Sequence, residues 1–226
     1  MRSAPWLGAG PAAWAIYVLS ARPGPGRATW RGRPDGHGIA LTFDDGPDPV
    51  WTPRILDVLA HQGVRAAFFL VGQRAAAAPA LVRRIAGEGH DLGNHTFGHR
   101  SLWRLGPSAT GSQVADGHAA IGEACGVAPR FFRPPWGITN PALAPALAAL
   151  ATPCVFWSAQ TEGLRPAGPG LQVARALRSA RPGGILDLHD ADGVPGAGAR
   201  LRSALPGLIA RLRDAGYALV PLRDLL

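Results

Sequence analysis

The chain has 226 residues, a formal charge of +8 at pH 7 and 47% hydrophobic residues. This length can bury a full hydrophobic core in one domain, and the apolar content excludes an intrinsically disordered chain. All 23 basic residues are arginines, scattered without a basic helix or a run of five, so the charge pattern does not favour a nucleic-acid partner.

The N-terminal segment differs in composition from the rest of the chain. After Arg2, the apolar stretch from Pro5 to Leu19 is short for a membrane span and is interrupted by glycine and proline. It has features of a weak export signal or anchor, and a plain extension is the alternative. Residues 22–36, rich in Pro, Gly and Arg, predict a linker. We therefore expect residues 1–36 to be a signal or anchor with its tether, giving an extracytoplasmic or envelope protein with possible membrane association, and residues 37–226 to form the catalytic domain.

From Gly38 onward, apolar runs suited to buried strands alternate with stretches of helical spacing. The predicted strands are 39–43, 66–71, 130–132, 154–157, 184–188 and 217–222. The predicted helices begin at Thr52, Pro79 and Ser112 and cover 141–150 and 201–215. This alternation favours a parallel sheet covered by helices. Because no glycine-rich nucleotide-binding motif follows a strand, a barrel is favoured over an open nucleotide-binding sheet.

Reactive polar residues come repeatedly just after these strands. They are Asp44 and Asp45 after the first strand, His95 and His99 after the short segment 91–94, Arg133 after 130–132, and His189 after 184–188. In a (β/α) barrel, the residues beyond the carboxyl ends of the strands form the active site. A plain turn is the alternative for the first pair, since Gly and Pro follow it, but a turn does not predict the recurrence.

Two histidines three residues apart, His95 and His99, can both reach one metal ion. With one carboxylate they provide two nitrogen donors and one oxygen donor, a set that suits Zn²⁺ with an open position, although Co²⁺ or Ni²⁺ could bind. The second of two adjacent aspartates could then accept a proton from water. Arg133 could orient that base and His189 could protonate a leaving group. Surface or structural roles are the alternative for each residue.

Two cysteines, Cys125 and Cys154, lack the pair spacing of a metal site. They predict two small buried side chains, with a disulfide as the alternative for an exported protein.

Four short motifs carry a family resemblance. They are TFDDGP at 42–47, HTFGH at 95–99, RPPWG at 133–137 and ILDLHD at 185–190. In this order they resemble the motifs of the polysaccharide deacetylases, carbohydrate esterase family 4 or the NodB-homology domain, from about Gly38 to the C-terminus. The resemblance implies a distorted (β/α)7–8 barrel in a single α/β domain. It also implies a metal-dependent hydrolase that removes N- or O-acetyl groups from chitin-like glycans, peptidoglycan or xylan.

The resemblance further implies a role for individual residues. The implied catalytic residues are Asp44 as base, Arg133 as its tether and His189 as acid. The implied metal ligands are Asp45, His95 and His99. The implied substrate-binding residues are Pro135 and Trp136 as a groove wall, with the Trp136 N–H as an oxyanion donor, and Leu188 in the acetyl pocket.

One segment departs from the family pattern. Many members carry an aspartate that tunes the acid histidine, whereas this chain has Gln160 at the expected place and Gly163-Leu164 where an Asp-Trp pair often follows. A neutral amide cannot stabilise an imidazolium as a carboxylate does. Asp187, Asp190 or Glu162 could substitute.

The sequence therefore predicts a monomeric, metal-dependent polysaccharide deacetylase, with an N-acetylated amino-sugar polymer such as peptidoglycan or a chitin-like glycan as the leading substrate. The alternatives are a catalytically weakened carbohydrate-binding protein on the same fold, an O-acetyl esterase and a small-molecule amidase.

Overall fold

Strands and helices alternate along the part of the chain described by the computed structural model, which comprises residues 28–34, 36–162, 167–191 and 196–226. The strands are β1 (Ala28–Thr29), β2 (Gly38–Asp44), β3 (Ala67–Leu70), β4 (Asp91–Asn94), β5 (Phe131–Phe132), β6 (Cys154–Val155), β7 (Ala159–Gln160), β8 (Gly184–His189) and β9 (Ala218–Leu219). The α-helices are α1 (Trp51–His61), α2 (Gly72–Ala77), α3 (Pro79–Gly87), α4 (Pro107–Cys125), α5 (Leu143–Ala149), α6 (Pro169–Ser179), α7 (Ala197–Asp214) and α8 (Leu222–Leu225).

All the strands belong to one parallel sheet, in the order β1-β6-β5-β4-β3-β2-β8-β7, with β9 also paired to β2. Within the described ranges the two end strands, β1 and β7, are not paired with each other. Just after β6, residues 156–158 run from the β1 end of the sheet to the β7 end. There the Phe156 N–H donates to the Thr29 carbonyl (2.7 Å) and the Ser158 N–H donates to the Ile185 carbonyl (3.0 Å). The sheet is thus curled into a distorted, incompletely closed barrel, and the predicted fold class is confirmed.

The two faces of the sheet bury different sets of side chains, because successive residues of a strand point to opposite faces. The face toward α1 and α7 carries Phe43, Leu186 and Leu188 in the larger hydrophobic cluster. The inner face carries Ala40 and Ile185, packed with residues of β3, β5 and β6 and with the C-terminal helix α8.

Polar residues continue the inner face at the carboxyl ends of β2 and β8. Thr42 and Asp44 follow Ala40 at two-residue steps, and Asp187 and His189 follow Ile185 in the same way. The strand register pairs Thr42 with Asp187 and Asp44 with His189. The sheet therefore brings these four polar side chains to one end of the barrel interior.

The folded region begins before the predicted boundary at residue 37. Ala28 pairs with Cys154 across β1 and β6, the Trp30 ring stacks on Phe156 at 4.0 Å, and the Gly32 N–H donates to the Gly183 carbonyl at 2.8 Å. The predicted linker at 22–36 is therefore wrong from residue 28 onward, because Trp30 covers a core aromatic ring. The predicted signal or anchor lies outside the described residues. Among the residues that are described, no helix is both long and apolar enough to span a membrane.

Two predicted helix starts also differ from the structure. Helix α1 begins at Trp51, and the N–H groups of Val50 and Trp51 both donate to Asp48 Oδ1 at 2.8 Å. Thr52 lies inside the helix and does not cap it; its hydroxyl accepts from the Asp48 N–H at 2.7 Å and donates to Asp190 Oδ2 at 2.5 Å. Ser112 lies inside α4, which begins at Pro107.

Both cysteines are free thiols, with Cys154 buried and Cys125 half-buried. Burial raises the pKa of the Cys154 thiol to about 12, which keeps it protonated and unreactive. The prediction of a small buried side chain is confirmed for Cys154, whereas Cys125 is only half-buried, and the two thiols do not form the alternative disulfide.

Candidate active site

The two adjacent aspartates, both buried, point to different partners. Asp44 ends β2, and its Oδ1 accepts a hydrogen bond from Arg133 Nη1 at 2.7 Å. Asp45 has a φ of 76°, in the left-handed region, so the chain turns sharply after the strand. The Asp45 Oδ1 lies 2.9 Å from His99 Nε2. The strained turn separates the carboxylates and gives each its own cation or imidazole, which reduces the cost of burying two like charges side by side.

Arg133 is fully buried and fixed from several sides. Besides Asp44, its Nη1 donates to the Thr42 hydroxyl at 2.8 Å. Its other contacts are the carbonyl oxygens of Val155 (3.1 Å) and Phe156 (2.9 Å) and the face of the Phe69 ring (4.0 Å). Because a guanidinium has a planar set of donors, these contacts allow one orientation. Asp44 is therefore held in one position beside a fixed cation.

His95 has its tautomer fixed by the backbone. Its Nδ1 lies 2.7 Å from the Arg133 carbonyl oxygen, so Nδ1 carries the hydrogen and Nε2 keeps a free lone pair. The Nε2 atom lies 3.6 Å from Asp45 Oδ1 and 3.8 Å from Asp44 Oδ2. Burial lowers the pKa of His95 more than the neighbouring aspartates raise it. A neutral imidazole with a free Nε2 is the form that binds metals.

The loop that carries His99 is held by α4. Thr96 and His99 both have positive φ (68° and 49°). The Phe97 N–H donates to the Gln113 carbonyl at 2.8 Å, which ties the loop to the helix. At Gly117 a Cβ atom would lie 2.9 Å from the Phe97 nitrogen. Only glycine allows the helix to approach this closely, and the sequence pattern of α4 did not identify that requirement.

A metal-ligand cluster results from these contacts. One ligand atom each of Asp45, His95 and His99 lies within 4.8 Å of the others. Burial acts to raise the pKa of Asp45, but the hydrogen bond with His99 and the nearby imidazoles of His95 and His189 hold this pKa well below its usual range. An ionised carboxylate and two imidazoles fit a divalent transition metal with a free position.

The predicted acid, His189, ends β8 with a largely buried side chain. Burial acts to lower its pKa, but Asp187, Asp44, Asp45 and Glu162 outweigh this effect and raise the pKa above its ordinary value. Asp187 is itself buried, 3.5 Å from Arg133 Nη1. Burial and the charge of Asp44 raise the pKa of Asp187 to about 7. The excess of carboxylates on the inner face thus favours a protonated His189, the form required of an acid.

The predicted substrate-binding residues are divided between two places. The Trp136 ring is exposed and lies 4.5 Å from the His99 ring, next to the buried Pro135. Leu188 is fully buried in the cluster that faces the helices. Since side chains alternate along β8, Leu188 points away from the face that carries Asp187 and His189. The structure therefore brings Trp136 to the metal-ligand cluster and does not bring Leu188 there.

The family model described as polysaccharide deacetylase matches residues 31–155. The chain belongs to the polysaccharide deacetylase family. A chitooligosaccharide deacetylase of Sinorhizobium fredii is 38% identical over 187 residues, which cover 79% of this chain and 87% of that protein. A peptidoglycan-N-acetylglucosamine deacetylase of Bacillus cereus is 33% identical over 205 residues, covering 89% and 93%.

Solved structures of the same family have the same fold. A peptidoglycan N-acetylglucosamine deacetylase superposes with a TM-score of 0.82 at 30% identity, covering 96% of both chains. A family 4 acetyl xylan esterase from Clostridium thermocellum, solved with a cobalt ion, superposes with a TM-score of 0.74 at 33% identity, covering 83% of this chain and 89% of that one. The predicted family, barrel and enzyme class, a hydrolase of the polysaccharide deacetylase family, are confirmed.

The assignment of the ligands is tested by His99→Ala. We expect Zn²⁺ affinity to fall by more than about 100-fold, because loss of a direct ligand exceeds the 10–100-fold cost usual for an outer-shell partner. Isothermal titration calorimetry measures the affinity. The matched control is His61→Ala at the exposed end of α1, which should bind Zn²⁺ as the unmodified chain does. Equal affinities in both variants would contradict the assignment.

Proposed function

We propose that this chain is a divalent-metal-dependent deacetylase that removes N-acetyl groups from an amino-sugar polymer. The observation that carries the proposal is that a candidate base lies next to a candidate metal site, with Asp44 Oδ2 3.8 Å from His95 Nε2. The cluster of Asp45, His95 and His99 provides the metal ligands, and Asp44, bonded to Arg133, keeps a second oxygen near His95. A metal ion that activates water and a separate general base that accepts its proton together provide a hydrolytic mechanism.

Asp45, His95 and His99 would hold the metal, with Zn²⁺ favoured by the donor set and Co²⁺ or Ni²⁺ as alternatives. A bound divalent cation would supply Lewis-acid chemistry, activating water and polarising the acetyl carbonyl. The free Nε2 lone pair of His95 and the ionised state of Asp45 support this role.

The protein's own residues divide the proton transfers between them. Asp44 accepts the proton of the attacking water on a carboxylate oxygen, and Arg133 holds that carboxylate in place. The backbone N–H of Trp136 is the proposed donor to the developing oxyanion. His189 gives its proton to the amide nitrogen as the C–N bond breaks, so acetate and a free amine leave. Asp44 and His189 are register partners on the same face of the sheet, which supports their action on one substrate group.

The substrate class is supported by the relatives and by the surface beside the cluster. The two curated relatives above are named for chitooligosaccharide and peptidoglycan N-acetylglucosamine. Trp136, with 59% of its surface exposed beside His99, and Pro135 provide the wall against which a sugar ring could stack. O-acetyl esterase activity is the second candidate, favoured by the likeness to the Clostridium thermocellum acetyl xylan esterase.

Acetate release by the Zn²⁺-loaded chain tests the proposal. We expect acetate from N-acetylglucosamine oligomers or peptidoglycan fragments and much less from acetylated xylan, measured by an enzyme-coupled assay. His99→Ala at the same Zn²⁺ concentration is the control for contaminating hydrolases. Release from xylan alone would replace the proposal with the esterase, and release from none of the three would refute both.

We further propose that the protein acts at the cell envelope as a monomer. The peptidoglycan substrate of the Bacillus cereus relative supports this location. The proposed signal or anchor within residues 1–36, with its membrane association, adds support from the sequence alone.

A further inference from the structure

Two buried polar atoms without a hydrogen bond face each other beside the active site. They are His189 Nδ1 and Glu162 Oε2, which lie 3.7 Å apart. Neither has a hydrogen-bond partner among the residues that the structure describes. A buried imidazole nitrogen and a buried carboxylate oxygen are both costly to leave unpaired. A shift of under 1 Å would make one charge-assisted hydrogen bond from the pair.

The Glu162 carboxylate is held in this place by two helices. Its other oxygen, Oε1, accepts hydrogen bonds from Gln172 Nε2 of α6 at 3.0 Å and from Arg200 Nη2 of α7 at 3.3 Å. Only 6% of the side chain is exposed. Both donors bind Oε1, so Oε2 is the oxygen that points toward His189. The carboxylate is therefore oriented by groups outside the proposed reaction, which is the arrangement of a positioning residue.

Position 160, where the family pattern places the aspartate that tunes the acid histidine, does not place a side chain in the same buried surroundings. Gln160 in β7 is exposed, whereas Glu162 is buried. A carboxylate at 160 would therefore lie in solvent, and its charge would be screened from a largely buried histidine. Asp190 is not suited to orient His189 either, because its carboxylate lies against Gly46 and accepts a hydrogen bond from the Thr52 hydroxyl.

We propose that Glu162 is the positioning residue for His189, accepting a hydrogen bond from Nδ1–H so that Nε2 is the nitrogen that donates the proton. This inference rests on the proposed role of His189 as acid. In the reaction, the Nε2–H bond breaks and the proton passes to the departing amine nitrogen, which receives the electron pair of the broken C–N bond. The imidazole returns to its neutral form with hydrogen still on Nδ1, and no proton is transferred to Glu162.

Several other charges act on His189, and a test must separate Glu162 from them. They are Asp187 on the same strand and Asp44 and Asp45 at the end of β2. Two arginines contact the carboxylates around His189, Arg133 at Asp187 and Arg200 at Glu162. Of the carboxylates in this set, Asp44, Asp45 and Asp187 also contact or adjoin Arg133 or the metal ligands. Glu162 can be changed without touching either group.

Glu162→Gln removes the charge and keeps the shape of the side chain. Because a carboxylate stabilises the imidazolium, its removal should lower the pKa of His189 by about one unit. Proton NMR titration of the Zn²⁺-loaded full chain measures this pKa, with the resonance assigned by comparison with His189→Gln. The alkaline limb of kcat/KM for N-acetylglucosamine oligomers should move to lower pH by the same amount, with KM unchanged. Glu162→Asp should recover part of the shift.

Gln160→Glu is the matched control, since it adds a carboxylate two residues away on the exposed side. It should leave both the titration and the pH profile as in the unmodified chain. An unchanged His189 pKa in Glu162→Gln, with normal thermal unfolding, would overturn the assignment of Glu162. If the unmodified chain releases no acetate, the proposed function fails, but the NMR titration still decides whether Glu162 holds His189.

Discussion

Asp44→Asn is expected to lower kcat for acetate release by about 10²–10⁴-fold, the usual contribution of a positioned general base. The amide keeps the size of the side chain, and its oxygen can still accept from Arg133, whose Nη1 lies 2.7 Å from Asp44 Oδ1. It cannot take a proton from water at neutral pH. Steady-state kinetics with N-acetylglucosamine oligomers measure the fall in kcat. Zn²⁺ titration of the same sample measures the metal affinity.

Zinc affinity should change little in Asp44→Asn, because Asp45 and the two histidines form the ligand cluster. Asp57→Asn, at an exposed carboxylate of α1, is the control and should keep full activity. Equal turnover in Asp44→Asn and the unmodified chain would exclude Asp44 as the base. If neither form turned over while both bound the oligomer, the protein would be a carbohydrate-binding member of the family.

Arg133→Leu is expected to lower the free energy of unfolding by about 3–5 kcal/mol, the range for breaking a buried ion pair from one side. The variant leaves the buried carboxylates of Asp44 and Asp187 without their shared cation. It also leaves the carbonyl oxygens of Val155 and Phe156 without their donors. Urea denaturation measures the loss.

The loss in Arg133→Leu should become smaller as pH falls, because protonated carboxyl groups do not need the cation. Arg133→Lys keeps the charge but has one nitrogen in place of three, so it should be more stable than Arg133→Leu and still have low activity. Arg83→Leu on α3, which removes one partly buried bond to the Ala124 carbonyl, is the surface control. A loss in Arg133→Leu no larger than in this control would show that the buried arginine does not stabilise the fold.

The sequence predicted the strands that have continuous apolar runs, and it predicted that reactive polar residues follow several of them. The strands around Phe43, Phe69 and Leu186 are of this kind, as is the placement of His95 and His189 after strands. These features depend on local pattern and on the geometry common to all parallel barrels.

The parts that the sequence did not predict depend on contacts between distant residues. Thr52 fits a helix cap by type, but Asp48 caps the helix, and the Thr52 hydroxyl donates to Asp190, far along the chain. Trp30 lies in a Pro- and Gly-rich segment, and only the position of Phe156 shows why its ring stacks against the barrel. The sequence did contain the information needed to place Leu188. Side chains alternate along a strand, so Asp187 and His189 share one face and Leu188 points to the other.

The side chain of Arg133 connects Asp44, the proposed base, to the place where the barrel closes. Its donors reach Thr42 and Asp44 of β2 on one side and the carbonyl oxygens of Val155 and Phe156 on the other. Phe156 also pairs with Thr29 at the N-terminal edge of the sheet. Opening of that edge, even without global unfolding, would therefore loosen one of the contacts that fix Arg133. Fraying of the outermost strand would in this way reach the surroundings of Asp44 through a single carbonyl group.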